Sequence, residues 1–295
     1  MTAQRLRRGD TIGIIAPSQV PDRAVYEENI RCLERQGYRV KRGRNLYKAT
    51  YGYLAAETER AADLNAMAAD DEVKLILFGG GEGAAELLPL VDFAAIKAHP
   101  KLFLSYSDGT SLLAAIYLNT GLVTYYGQTP GVAARPSAYD RAQFEQHIIK
   151  GEAGPFVSNG ERCALHGGVG EGILLGGYAG NMALLAGSRY FRTDPAARYL
   201  LFLEDHETFH NVAHVSMLLS HLEQSDFARQ ISGLLFGHYS TAAQPELRER
   251  LARFGQKHKV PVICCDDFGH GENHAILPIG RRAVLDGDQN TLWFC

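Results

Sequence analysis

The sequence predicts an α/β protein: an N-terminal parallel-sheet domain flanked by helices, followed by a second, strand-rich α+β domain. Three observations carry this. Short apolar strand runs alternate with helical patterns through residues 1–150. Glycine and polar residues then dominate 151–177, a composition that reads as a linker. Beyond residue 178 strand signals return, and the chain closes on three of them in succession.

Taken in order, 11–16 is a β-rich run stopped by Pro17-Ser18, and 23–36 is a helical pattern ended by Gly37. A second strand comes next at 38–42 and an amphipathic helix at 57–69. The run 73–78 is wholly apolar after Lys74, as suits a parallel strand buried on both faces. A fourth strand at 101–104, a helix at 111–118 and a fifth strand at 122–126 complete the first half. Within 151–177 only short segments at 154–158 and 172–175 look strand-like. The second half reads as a small-residue helix at 180–186, a strand at 199–203, a helix at 211–224 and strands at 231–236 and 260–264. Strands at 275–279, 281–285 and 291–294 end the chain.

Composition excludes several classes. With 295 residues and a formal net charge of −3, the chain has ample sequence for a core, and Arg5, Arg7 and Arg8 are too few for a nucleic-acid footprint. No apolar run approaches a membrane span, and no signal peptide is expected. Cys32, Cys163, Cys264, Cys265 and Cys295 are odd in number and lack zinc-type spacing, so free thiols in a reducing, cytoplasmic setting are expected.

Candidate chemistry gathers just after apolar strands, where parallel sheets build their sites. Ser105-Tyr106-Ser107-Asp108-Gly109 joins a strand to a helix, the setting in which a sharp turn presents a serine hydroxyl for attack. The same pattern also serves as a plain helix cap. Gly79-Gly80-Gly81-Glu82-Gly83 comes directly after the strand at 73–78; it lacks the Lys-Ser or Lys-Thr pair of a phosphate loop and fits an oxyanion or carboxylate cradle, or a simple tight turn. Glu204-Asp205 ends the strand at 199–203 and can orient an imidazole, hold a cation or cap the next segment. His270 stands between Gly269 and Gly271, a context that disfavours helix and core and suits an imidazole on a loop of unusual backbone angles. Together these segments have the composition of a nucleophile, a base, an orienting carboxylate and oxyanion donors. His210 and His214 share a helix face without the glutamate a zinc peptidase needs, and His238 comes at a strand end. Asp266-Asp267 can bind a cation but reads first as a loop cap, and Cys264 and Cys265 read as packing residues.

This set of motifs resembles the LD-carboxypeptidase family of serine peptidases, which includes the microcin C immunity peptidases. The resemblance is carried by residues 9–18, by Gly80-Gly81-Glu82-Gly83 with Leu87-Leu88-Pro89, and by Tyr106-Ser107-Asp108 with Thr110. Gly180-Asn181, Leu203-Glu204-Asp205 and Gly269-His270-Gly271 with Leu277-Pro278-Ile279-Gly280 complete it in chain order. It implies Ser107 as nucleophile, His270 as general base, Glu204 as its orienting carboxylate and the backbone N–H groups of Gly81 and Asp108 as the oxyanion hole. Gly80 and Glu82 would then line the substrate. The resemblance further implies two domains, 1–150 with the nucleophile and 178–295 with the acid and histidine, a homodimer, no metal and no organic cofactor. The implied partner is a small peptide, a murein tetrapeptide cut before its terminal D-alanine or an aminoacyl-nucleotide; nucleic acid and membrane are not expected partners. A silent binder of cell-wall peptides and an α/β-hydrolase esterase are the competing classes. Two positions depart from the family pattern: Gly79 where an arginine is usual, and Ser105 where a glycine is usual.

Overall fold

Strands that are mostly apolar become the centres of two sheets in the computed structural model, which describes residues 1–295. In the first half the chain forms β1 (Thr11–Ile15), α1 (Arg23–Arg35), β2 (Arg39–Arg42), α2 (Glu57–Ala69) and β3 (Val73–Phe78). It continues through α3 (Phe93–Ala98), β4 (Leu102–Ser105), α4 (Thr110–Thr120), β5 (Thr124–Tyr126), α5 (Pro130–Ala134) and α6 (Ala138–Phe144). Strands β1 to β5 pair with one another in parallel. Helix α1 shows why such helices form: the Asp22 side chain accepts the Val25 N–H, and Tyr26, Ile30 and Leu33 recur on one buried face.

The second half supplies β6 (Gly154–Pro155), β7 (Arg162–His166), β8 (Val169–Tyr178), α7 (Ala179–Ala186), β9 (Tyr199–Glu204) and α8 (Val212–Glu223). After these come β10 (Ile231–His238), α9 (Pro245–His258), β11 (Val262–Gly269), β12 (Leu277–Ile279), β13 (Arg282–Asp286) and β14 (Thr291–Phe294). The first sheet has the order β12-β5-β4-β3-β1-β2 and the second β6-β14-β13-β8-β9-β10-β11-β7. In the second, β8 to β11 are mutually parallel, with antiparallel strands on either side. The chain divides into a unit of Met1–Glu152 with Ala275–Pro278 and a unit of Ala153–His274 with Ile279–Cys295. No helix is long and apolar enough to cross a membrane.

The stretch 151–177 is not a linker: it carries β6, β7 and most of β8, the strand that pairs with β9. Its glycines mark close packing. A Cβ on Gly176 would fall 1.8 Å from the Phe202 carbonyl oxygen, and one on Gly170 would fall 1.9 Å from that of Ser232. Strand β11 likewise runs past Cys264 to Gly269, carrying the Asp266-Asp267 pair inside the sheet. Asp267 is fully buried and accepts the backbone N–H groups of Asn159 and Gly160 and the Ser158 hydroxyl. Helix α9 adds to the elements expected from the sequence; Pro245 at its start and Leu247, Leu251 and Phe254 on one face are an ordinary amphipathic signal.

Candidate active site

In the first unit the strand order reverses between β1 and β3, so the loops after β1, β3 and β4 open from neighbouring strand ends. The turn after β4 holds Ser107 at φ 55°, a left-handed backbone that a non-glycine residue adopts only when its surroundings impose it. Those surroundings are specific. The Ser107 N–H donates to the Tyr126 hydroxyl at 3.0 Å, and the Thr110 hydroxyl donates to the Ser107 carbonyl at 2.7 Å. Ser107 opens a single 3₁₀ turn that passes directly into α4, so the N-terminal end of that helix lies beside it.

The glycine loop packs against this turn. A Cβ on Gly80 would sit 2.7 Å from Ser107 Cβ, and one on Gly81 would sit 2.6 Å from the Ser18 carbonyl oxygen. Gly81 has φ 136°, and the next residue, Glu82, donates its N–H to that same Ser18 oxygen at 2.8 Å. The buried Asp108 carboxylate accepts the Ala84 N–H at 2.8 Å, tying the serine turn to the loop. Gly80, Gly81, Ser107 and Asp108 are therefore one cluster, while the Glu82 side is solvent-exposed.

Both departures from the family pattern have a physical account. Ser105 is fully buried, and its side chain fits because residue 109 is glycine, whose Cβ would lie 2.2 Å from Ser105 Oγ. Above Gly79 the space is occupied by the Tyr26 hydroxyl, 2.8 Å from where a Cβ would lie, with Gln19 Nε2 at 3.6 Å. Burial pushes the Tyr26 phenol up to about 12, against a smaller lowering by its hydrogen bond with Gln19.

In the second unit the parallel strands β8, β9, β10 and β11 end on Tyr178, Glu204, His238 and Gly269. Glu204 is fully buried, and its Oε2 accepts a hydrogen bond from His270 Nδ1 at 2.8 Å. Gly269, at φ 103°, makes this approach possible, since a Cβ there would lie 3.0 Å from both Glu204 Cβ and Oε2. On the other flank, a Cβ on Gly271 would strike the His238 ring at 2.7 Å. The two glycines around His270 thus answer to two close contacts.

Further side chains surround this pair. Phe209 lies 5.0 Å from the His270 ring and Tyr178 5.5 Å, both edge-on, and His206 lies at 6.2 Å. Burial and the neighbouring His238 and His270 hold His206 below the usual imidazole range. His210 Nδ1 lies 3.0 Å from Oδ2 of the fully buried Asp205, whose carboxyl is pushed up by burial against the opposing pull of His210. His238 Nδ1 is 3.0 Å from Asp266 Oδ1. Tyr178 and the Asp205–His210 pair emerge only from the structure. The rule that sites gather after strand ends marks Tyr178 once 169–178 is recognised as a strand.

Comparison with known proteins identifies the family. The LD-carboxypeptidase N-terminal domain matches residues 12–127 and the LD-carboxypeptidase C-terminal domain residues 171–285. A probable murein peptide carboxypeptidase of Bacillus subtilis is 32% identical, covering 97% of this chain and 92% of its own. The microcin C7 self-immunity protein MccF of Escherichia coli is 25% identical over 99% of this chain and 95% of its own. The crystal structure of an MccF-like protein from Bacillus anthracis superposes with a TM-score of 0.90 at 24% identity, covering 100% of this chain and 98% of that one, and so shares its fold. The chain belongs to the LD-carboxypeptidase family and is a serine-type carboxypeptidase.

Proposed function

We propose that the protein hydrolyses the amide before the terminal D-alanine of a murein tetrapeptide through Ser107, His270 and Glu204. The observation that carries the catalytic part is the 2.8 Å bond between His270 Nδ1 and the buried Glu204 carboxylate, which leaves His270 Nε2 as the basic nitrogen, and the substrate follows the murein peptide carboxypeptidases that the chain resembles. Ser107 Oγ attacks the scissile carbonyl carbon as its proton passes to Nε2. The developing oxyanion is met by the N–H groups of Gly81 and Asp108, with the N-terminal end of α4 adding a favourable field. Collapse breaks the C–N bond, Nε2 returns the proton to the departing D-alanine nitrogen, and water then cleaves the Ser107 ester by the same base. Gly80 and Glu82 border the acyl side of the peptide in this reading. The D-alanine release expected here is the chemistry of cytoplasmic cell-wall recycling.

A second substrate is favoured by one observation. Phe209 is 57% exposed and lies edge-on to His270, so an aromatic surface stands beside the proposed base. A nucleobase stacks on such a surface, which suits an aminoacyl-nucleotide of the microcin type. Trp293, 52% exposed, stands on β14, which pairs between β13 and β6.

Incubating the purified protein separately with murein tetrapeptide and with processed microcin, and reading product masses, tests both. Release of D-alanine from the tetrapeptide is expected, together with loss of at least about 10⁴-fold in kcat for Ser107→Ala and for His270→Ala. Near-normal hydrolysis by Ser107→Ala would sink the assignment; cleavage of the nucleotide alone would transfer it to the second substrate.

A further inference from the structure

The hydrogen bond to Glu204 fixes one atom of the His270 ring, and by itself it leaves the ring able to swing about that bond. Packing on the ring is what points Nε2 in one direction. His270 comes directly after the last residue of β11 on a glycine-flanked turn, so its backbone contributes little restraint.

We propose that Tyr178 is the positioning residue for His270, and that a second carboxylate–imidazole pair, Asp205–His210, holds Tyr178 in place. Tyr178 is the last residue of β8 and the direct cross-strand partner of Glu204, so its backbone is set by the strand that carries the first carboxylate. Its ring stands edge-on to His270 at 5.5 Å with an interplanar angle of 64°. The same ring also stacks on His210, at 5.9 Å and 19°. The Tyr178 oxygen is 3.2 Å from His210 Nδ1, and that nitrogen is 3.0 and 3.1 Å from the two Asp205 oxygens, so carboxylate and phenol meet at one imidazole nitrogen.

His210 cannot easily drift. Its carbonyl accepts the Tyr239 hydroxyl at 2.7 Å, its N–H donates to the His206 carbonyl, and the His214 ring closes over it at 5.7 Å. Asp205 is fully buried next to Glu204 in sequence and also accepts the His206 N–H at 2.8 Å. Adjacent carboxylates thus serve two imidazoles in parallel, Glu204 directly on His270 and Asp205 through His210 and Tyr178. Rings held by packing and by a buried hydrogen bond keep a neighbouring ring in one orientation, and misplacing a proton-transfer group by about 1 Å costs on the order of 100-fold in rate.

The proposal rests on His270 acting as the base, and its test keeps the two apart. Steady-state kinetics on the full chain should show Tyr178→Ala losing about 10- to 100-fold in kcat with KM within about twofold. Tyr178→Phe keeps the ring and its stacking on His210 but gives up the phenol contact, so it and Asp205→Asn should both fall between Tyr178→Ala and wild type. Nitrogen-15 NMR of labelled imidazoles supplies a readout that does not need turnover: the His270 Nδ1 resonance should shift or broaden most in Tyr178→Ala, and to a smaller and similar extent in Tyr178→Phe and Asp205→Asn. An unchanged His270 resonance in Tyr178→Ala overturns the positioning role. So does a raised KM at unchanged kcat, which marks substrate contact. A perturbed resonance alongside an active His270→Ala would retain the positioning and overturn the assignment of the base.

Discussion

Around Ser107 the first unit relies on backbone shape, whereas around His270 the second relies on buried side chains. The serine turn and the glycine loop are set by left-handed angles at Ser107 and Gly81 and by approaches too close for a Cβ. The histidine is set by a fully buried carboxylate and a ring of aromatic neighbours. The two regions should therefore fail in opposite ways: the first when atoms are added, the second when a side chain is removed or its charge is altered.

The largest effect that distinguishes them is expected at Glu204. Glu204→Gln keeps the volume but removes the negative charge that, in the proposed mechanism, selects the Nδ1–H tautomer of His270 and stabilises its imidazolium. A loss of about 10²- to 10⁴-fold in kcat is expected, smaller than for Ser107→Ala. The fold should be retained because an amide still fills the site, and comparing circular dichroism with kcat separates the two. Equal losses in stability and activity would mean that Glu204 matters to this region chiefly as a core residue.

A smaller effect is expected from adding one methyl group at Gly81. Gly81→Ala meets both an unfavourable φ and the Ser18 carbonyl oxygen at 2.6 Å, and backbone atoms yield less than side chains. The strain is worth about 1–3 kcal/mol, and displacing the Gly81 N–H from the proposed oxyanion hole costs on the order of 10² in kcat. A melting temperature and a kcat within error of wild type would break the contrast.

These modes of support also explain what is legible in the chain. The runs at 73–78 and 199–203 announce buried parallel strands because both faces must be apolar, and the residues at their ends stand out for that reason. Ser107, Glu204 and His270 are legible as residue types after strands. The glycines of β8 mislead, because glycine permits close strand packing as well as turns and sequence alone does not separate the two. The Tyr178–His210–Asp205 arrangement is hidden for a related reason: it joins residues distant in sequence whose rings meet only once β8 and β9 are paired.

The contrast extends to acid stability, away from the site. In the first unit, Glu27 is held down to about 2 by hydrogen bonds from Arg42 and Tyr47, but the pair stands at the surface, where such bridges contribute about 0–1 kcal/mol. In the second, burial pushes Glu223 up, but hydrogen bonds from His258, Lys257 and Arg250 outweigh it and hold its carboxyl below the ordinary value of 4.5. Its folded-state pKa is therefore lower than in the unfolded chain, so its stabilisation is complete above pH 4.5 and is lost as pH falls through the lowered value. Protonation removes the charge that faces the buried Arg250 guanidinium, which is the loss that the lowered pKa records. Amide exchange measured from pH 5 downward should show α8 and α9, which Glu223 and Arg250 join, losing protection before α1. Glu223→Gln should lower that protection already at pH 7 and flatten its pH dependence. If α1 opens first, the surface bridges of the first unit carry more of its stability than their exposure allows, and the division between backbone-held and side-chain-held regions does not extend beyond the site.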